Sequence, residues 1–383
     1  MEFYIRQIIK MTAQHVLFPI YYFFCCRKPV KKGLVVFADE HKTVCPSSMQ
    51  RLHDALLLQE GVTVVDDFFD LQEMSALSGM RRMLAFMKLY AQAEFVILQD
   101  NFLPVSSCHK RKGTKVIQLW HGCGAFKRFG YDAKDDIPWF YKGNVYKNYD
   151  LVTVSSPYCR PFFTSAMRIK HPKTVRAYGS SYTDCYFDAA YKAAMREKFE
   201  RIYGVKGGRT VIVWAPTFRG NAGFQNPGER TIGEAWIDEL AKNPDYLVIK
   251  SLHPHMLKRG ETQPLTTGEL LFSADLLITD YSSILFEYLL LDRPMLFFAP
   301  DLETYGADRG WYLSYEDMPG TIVTEGEQLA DAVVSTLGKD VYAEKRQAFR
   351  EQYMSRCDGN ATKRLIRYIL HEETKRNDVE KPV

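Results

Sequence analysis

Short apolar runs recur along the chain at strand length, separated by stretches with helical spacing. The first set is Leu34–Phe37, Val62–Val65, Phe95–Leu98, Lys115–Leu119, Leu151–Val154 and Thr174–Tyr178. Helices are predicted between them near 48–59, 80–93, 138–148 and 157–167. A charged helix over 188–203 leads into Gly204 and Lys206-Gly207-Gly208, a break where a domain boundary is expected. A second set follows: Thr210–Ala215, Leu247–Lys250, Leu276–Thr279, Met295–Phe298 and Thr321–Val323. One long charged helix is predicted near 341–372. Strand and helix in alternation imply a parallel sheet covered on both faces, so the fold class is α/β with two Rossmann-like, doubly wound domains facing a cleft.

The stretch 273–299 shows the pattern best. Leu276–Thr279 is a buried strand, Asp280 to Ser283 are cap formers, and a helix runs from Ile284 to Leu291. Arg293-Pro294 stops it, because proline cannot continue a helix. Free N–H groups at such a helix start favour anions, and the Ser282 and Ser283 hydroxyls add donors. Plain N-capping is the alternative reading.

Ligands of doubly wound sheets bind beyond the carboxyl ends of the strands. Beyond Leu119 stand Trp120-His121-Gly122-Cys123-Gly124. Histidine suits proton transfer near neutral pH, and Gly122 and Gly124 allow close approach to the backbone on the acceptor side. Thr217 and Arg219 follow Ala215, a hydroxyl and a fork of donors suited to phosphate. Lys250 and Ser251 add donors before His253, which Pro254 restrains; His255 is expected to face solvent. Asp301 to Tyr305 are acidic and aromatic, suited to ribose, base or acceptor.

The amino-terminal segment has a different pattern. From Phe3 to Cys26 it is largely apolar, punctuated or flanked by Arg6, Lys10, Arg27, Lys28, Lys31 and Lys32. The run Val16–Cys26 is far short of the ~20 residues a spanning helix needs. A helix lying in an anionic membrane interface is expected, with a domain-packing helix as the alternative. The expected layout is therefore 1–32 membrane-associating, 33–203 a first Rossmann-like domain, 204–340 a second, and 341–383 a helix crossing the domains with a tail.

Composition changes this picture little. The 383 residues are 46% hydrophobic and 25% charged, with a net charge of +4 that neither demands nor excludes nucleic acid. The eight cysteines form no C-x-x-C pair, which reads as reduced thiols. No phosphate-binding P-loop, no G-x-G-x-x-G after a strand, no H-E-x-x-H and no D-x-D occur, so neither an ATPase nor a dinucleotide enzyme is expected, and no bound metal or cofactor.

The segments Gln118-Leu-Trp-His-Gly122, Trp214-Ala-Pro-Thr-Phe-Arg219, Leu252-His-Pro254, Ser273 to Ser283 with Glu287, Arg293-Pro294, Asp301 to Tyr305 and Arg309-Gly310 come in a fixed order. Together they resemble the CDP-glycerol glycerophosphotransferases of bacterial teichoic acid synthesis. The resemblance implies a GT-B fold and transfer of glycerol phosphate from CDP-glycerol to an undecaprenyl-diphosphate-linked saccharide acceptor, with CMP leaving. It implies catalytic roles for His121 and His253. It also implies a diphosphate site at the turn Asp280-Tyr281-Ser282-Ser283, with Thr217, Arg219, Lys250, Ser251 and Glu287 on the donor side. The short chain looks like the priming transferases, peripheral on the cytoplasmic face of the membrane. No nucleic acid partner is expected; a homo-oligomer or a cell-wall enzyme complex stays open. Rival readings are the same chemistry on CDP-ribitol, a GT-B sugar transferase, and a binding-only scaffold.

Overall fold

The structure is a computed structural model that describes residues 11–134, 136–137, 141–217, 219, 232–252 and 262–371. The chain divides into two compact units. One comprises residues up to Gly122, Ile137–Asp184 and the chain from Arg356; the other comprises Cys123–Asp136 and Cys185–Ser355.

The first unit is built on a sheet of seven strands: β1 (Lys31–Asp39), β2 (His41–Lys42), β3 (Thr63–Asp70), β4 (Ala93–Leu98), β5 (Lys115–Gln118), β6 (Leu151–Thr153) and β7 (Val175–Arg176). Their spatial order is β2-β3-β1-β4-β5-β6-β7. All neighbours are parallel except β2 on β3, a short antiparallel edge that the hydrophobic pattern does not reveal because His41 and Lys42 are both exposed. Helices α1 (Phe18–Cys25), α2 (Ser47–Leu57), α3 (Ala76–Gln92), α4 (Leu103–Ser106) and α5 (Arg160–Ala166) belong to this unit. Burial on both faces explains the near-continuous apolar strands: Val35 and Phe37 pack with Met49, Leu52 and Leu56 of α2, while Val36 and Ala38 pack with Phe86, Met87 and Tyr90 of α3.

The amino-terminal segment has two faces. A π-helical turn, Ala13–Leu17, runs straight into α1. Phe18 and Tyr22 are buried on α3, with the Tyr22 and Tyr90 rings 4.9 Å apart. Val16, Leu17, Ile20, Phe23 and Phe24 stay exposed, and exposed Arg27 and Lys28 follow. The segment is thus a packing helix on one side and an apolar ridge on the other. Among the described residues, no helix is long and apolar enough to cross a membrane.

The second unit holds five parallel strands: β8 (Thr210–Ala215), β9 (Tyr246–Lys250), β10 (Leu276–Thr279), β11 (Met295–Phe298) and β12 (Thr321–Val323), ordered β12-β11-β10-β8-β9. Its helices are α6 (Ala189–Tyr203), α7 (Glu234–Leu240), α8 (Thr267–Leu271), α9 (Ile284–Leu289), α10 (Leu302–Arg309), α11 (Leu329–Gly338) and α12 (Ala343–Met354). The Asp188 side chain caps α6 by accepting from the Tyr191 N–H, and Gly204 ends that helix. The division between units falls at Asp184, so α6 lies within the second unit.

Two expected helices differ. Of 138–148, the part from 141 onward is turn rather than helix, with Asn144 folded back on its own backbone through the Tyr146 N–H. Of 341–372, the described part, up to 371, holds two helices. After α12 the chain breaks at Cys357-Asp358-Gly359-Asn360, and α13 (Ala361–Ile369) starts anew in the first unit. The Asp184 carboxylate receives the Ala361 and Thr362 N–H groups at 3.1 and 2.8 Å, placing a negative charge on the start of that helix.

Counting only parallel strands in chain order, both sheets read 2-1-3-4-5, the first with one strand added. In each the winding reverses between the first and third of these strands: β1 and β4 in one unit, β8 and β10 in the other. Open α/β sheets place ligands at such reversal points, beyond the carboxyl ends.

Candidate functional sites at the two reversal points

At the reversal point of the second unit, the parallel register sets Ala215 opposite Thr279. The residues that follow therefore leave the sheet side by side. Asp280 is buried, and its carboxylate accepts the Thr217 N–H at 2.8 and 3.0 Å and the Tyr281 N–H. Arg219 donates from Nη1 to Asp280 Oδ2 at 2.9 Å and to the Thr217 carbonyl at 2.6 Å. Its Nε and Nη2 bind Asp301 Oδ2 and Oδ1 at 2.7 and 2.9 Å. The Tyr281 hydroxyl donates to Asp301 Oδ1 at 2.9 Å, and Tyr315 donates to the Asp280 carbonyl at 3.2 Å.

Aromatic rings close around these charges. Tyr281 and Tyr305 stack at 4.1 Å, and the Arg219 guanidinium lies 5.0 Å from both ring centres. Burial alone would lower the guanidinium's pKa, but its hydrogen bonds to Asp301 and the charges of Asp280 and Asp301 hold it above its ordinary value. Burial would likewise raise Asp301, yet its bonds from Arg219 and Tyr281 hold it below the usual carboxylate range. Burial, and then the charge of Asp301, push the Tyr281 hydroxyl up.

This geometry alters the expectations for several residues. Arg219 was expected to offer its fork to phosphate; four of its five N–H groups are instead taken by Asp280, Asp301 and the Thr217 carbonyl. Asp280 does not cap the following helix, because its oxygens face Thr217 and Arg219. Ser282 Oγ accepts the Ile284 N–H at a long 3.4 Å, and exposed Ser283 makes no side-chain cap. The Thr217 hydroxyl is buried and has no hydrogen-bond partner among the described residues.

The other donor-side residues turn elsewhere. Lys250 pairs with Glu234 and Asp238 of α7 at 2.9 and 2.5 Å. Burial would lower its pKa, and these two carboxylates raise it. Ser251 is buried and its hydroxyl meets Thr267 Oγ1 at 2.8 Å. Glu287, in the first turn of α9, accepts from the Tyr186 hydroxyl at 2.9 Å. Gly124 lies in this unit against the same helix. Its φ is +65°, and a Cβ there would sit 2.4 Å from the Phe286 ring, so only glycine fits. His253 and His255 lie outside the described residues.

His121 follows β5, one strand beyond the reversal point of the first unit, and faces the loop that leaves β4 there. Here Gln99 follows β4 and bonds Asp39 at the end of β1, Nε2 to Oδ2 at 2.7 Å, while its Oε1 accepts from Ser48. His121 Nδ1 lies 3.3 Å from the Gln99 carbonyl and 3.7 Å from Asp100 Oδ2. The imidazole stacks on Trp120 at 4.5 Å and is 49% exposed. Trp120 has a φ of +62°, a left-handed backbone that costs an L-residue of this bulk about 1–2 kcal/mol. Gln118, fully buried, holds it there by accepting the Trp120 N–H at 2.9 Å. Gly122 ends this unit's share of the loop, half-buried.

Sequence reasoning passed over Asp100, Gln99 and the bonding of Gln118. Asp100 follows β4 as His121 follows β5, so inspecting every strand end would have found it.

The chain is 32% identical over 308 residues to the teichoic acid ribitol-phosphate primase of Bacillus spizizenii, covering 74% of this chain and 77% of the relative. It is 30% identical over 293 residues to the teichoic acid glycerol-phosphate primase of Bacillus subtilis, covering 72% and 73%. The wall teichoic acid polymerase TagF, as a variant soaked with CDPG, superposes with a TM-score of 0.72 at 22% identity, covering 93% of both chains; the fold is thus GT-B. Residues 20–371 match the family described as CDP-Glycerol:Poly(glycerophosphate) glycerophosphotransferase, and the chain belongs to that family.

Proposed function

We propose that this protein transfers glycerol phosphate from CDP-glycerol to a hydroxyl of an undecaprenyl-diphosphate-linked saccharide, releasing CMP. The acceptor oxygen attacks the β-phosphorus, and the bond from that phosphorus to the bridging oxygen breaks. CMP leaves with the bridging oxygen, and the acceptor's proton passes to His121. The observation that carries the reading is the half-exposed imidazole beside a reversal point, with a carbonyl and a carboxylate on one side of it. Such transfers depend mainly on positioning and on stabilised charge.

His253 is assigned to the diphosphate, with the turn at Ser282 and Ser283 and the buried Thr217 hydroxyl. Arg219 acts there through Asp280 and Asp301, by fixing the loop that carries Thr217. No metal or other cofactor is assigned to the reaction. The ridge Val16, Ile20, Phe23 and Phe24 with Arg27 and Lys28 would seat the protein on an anionic membrane, where a lipid-linked acceptor resides.

CDP-ribitol is the second reading, favoured by the 32% identity to a ribitol-phosphate primase. A donor screen decides between them. CDP-glycerol, CDP-ribitol and a UDP-sugar are incubated with lipid acceptor, with and without chelator. CMP release and a glycerol phosphate increment, unaffected by chelation, are expected. UDP release alone, or no turnover by folded protein, would refute the proposal.

A further inference from the structure

Two loops, from the ends of β4 and β5, meet beneath His121, and one buried side chain ties them. Gln118 donates from Nε2 to the Asp100 carbonyl at 2.9 Å and to the Tyr149 hydroxyl at 3.0 Å, while its Oε1 accepts the Trp120 N–H. Its amide therefore fixes both the peptide that carries Asp100 and the left-handed residue that aims His121. Asp100 is held in turn, since its Oδ1 accepts the backbone and side-chain N–H groups of Asn101 at 2.7 and 3.2 Å. That leaves Oδ2 toward the imidazole. Both groups near Nδ1, the Gln99 carbonyl and Asp100 Oδ2, are acceptors.

We propose that Asp100 and Gln118 are positioning residues that hold His121 as its Nδ1–H tautomer, with Nε2 bare and turned out to take the acceptor's proton. An imidazole that donates from one nitrogen to a carbonyl or carboxylate presents its other nitrogen as the base. The inference rests on the transferase reading for its catalytic meaning, but the tautomer is a property of the protein alone.

Histidine-selective 15N labelling of the full chain, at about pH 8 where neutral imidazole predominates, reads it directly. His121 is assigned by its loss in His121→Gln. The native protein is expected to show Nδ1 protonated and Nε2 bare. Asp100→Ala is expected to mix the tautomers and lower kcat about 10- to 100-fold with KM for CDP-glycerol unchanged. Asp100→Asn keeps an acceptor oxygen and should recover part of both. Gln118→Leu should act like Asp100→Ala; should that buried change prevent folding, the Asp100 pair decides. Nε2 protonated in the native protein, or tautomer and kcat unmoved by Asp100→Ala, overturns the proposal. Should the native enzyme turn over no CDP-polyol while His121 remains Nδ1-protonated, the transferase reading falls and the brace stands.

Discussion

Arg219 and Asp301 are joined by two parallel hydrogen bonds, Nε to Oδ2 at 2.7 Å and Nη2 to Oδ1 at 2.9 Å, across 82 positions of chain. Both side chains are 12% exposed. A buried pair of this kind is weak evidence for net stability, but removing one partner strands the other's charge and costs about 3–5 kcal/mol. Arg219→Ala is therefore expected to destabilise the second unit by that amount in urea titrations, and Arg219→Lys by less. The depressed Asp301 carboxylate contributes stability above its ordinary pKa, lost as pH falls through the folded value. An Arg219→Ala protein within about 0.5 kcal/mol of the native, the level of a plain surface change, would show that the fork does not hold the loop.

Gly124 meets Phe286 with no room for a methyl group. Gly124→Ala must both strain a left-handed backbone and displace a buried ring, so a loss of about 2–4 kcal/mol is expected. Adding Phe286→Leu should return the steric part and leave the backbone part. Additive losses in the double variant would place the whole cost in the backbone.

Asp67, on β3, is buried with one oxygen on Arg82 and the other without a partner among the described residues. Burial, opposed by Arg82, raises its pKa to about 6. The folded state then holds the proton that the unfolded chain has already released. Stability is expected to fall as pH rises from about 4 to 6, by about 3 kcal/mol, and to level off above. Asp67→Asn should flatten that slope in denaturation curves taken across the window. An unchanged slope would assign it to other carboxylates.

The two faces of α1 let packing and the proposed membrane contact be tested separately. Phe23 is 70% exposed and Ile20 55%, whereas Phe18 is buried. Ile20→Glu with Phe23→Glu is expected to abolish flotation with anionic vesicles while leaving the melting temperature within about 2 °C, as for a surface change. Phe18→Ala is expected to cost about 3–5 kcal/mol. Unaltered flotation of the double variant would mean that the ridge is not the contact surface.

Eleven of the twelve strands among the described residues were legible, because most of a strand covered on both faces is apolar; the exposed pair His41-Lys42 of β2 gave no such run. The break between α12 and α13 was readable from Asp358-Gly359-Asn360, but the flanking helical spacing hid it. At the sites, strand ends pointed to His121, Thr217, Arg219 and Asp280. What they bond was not legible. Whether Arg219 faces phosphate or Asp301 depends on which loops the sheet order makes adjacent, and Lys250 could not be matched to Asp238 before the turn of α7 was known.

Trp120 sets a constraint that works against ordinary optimisation. Glycine or asparagine at that position would relieve the left-handed backbone. Either would also remove the ring on which the imidazole rests. The backbone relief, about 1–2 kcal/mol, is set against the loss of the ring's edge-to-face contact with buried Phe163, 5.9 Å between centres. With His121 as the proposed base, the turn is a place where relief of the backbone and the seating of the imidazole are expected to trade against each other.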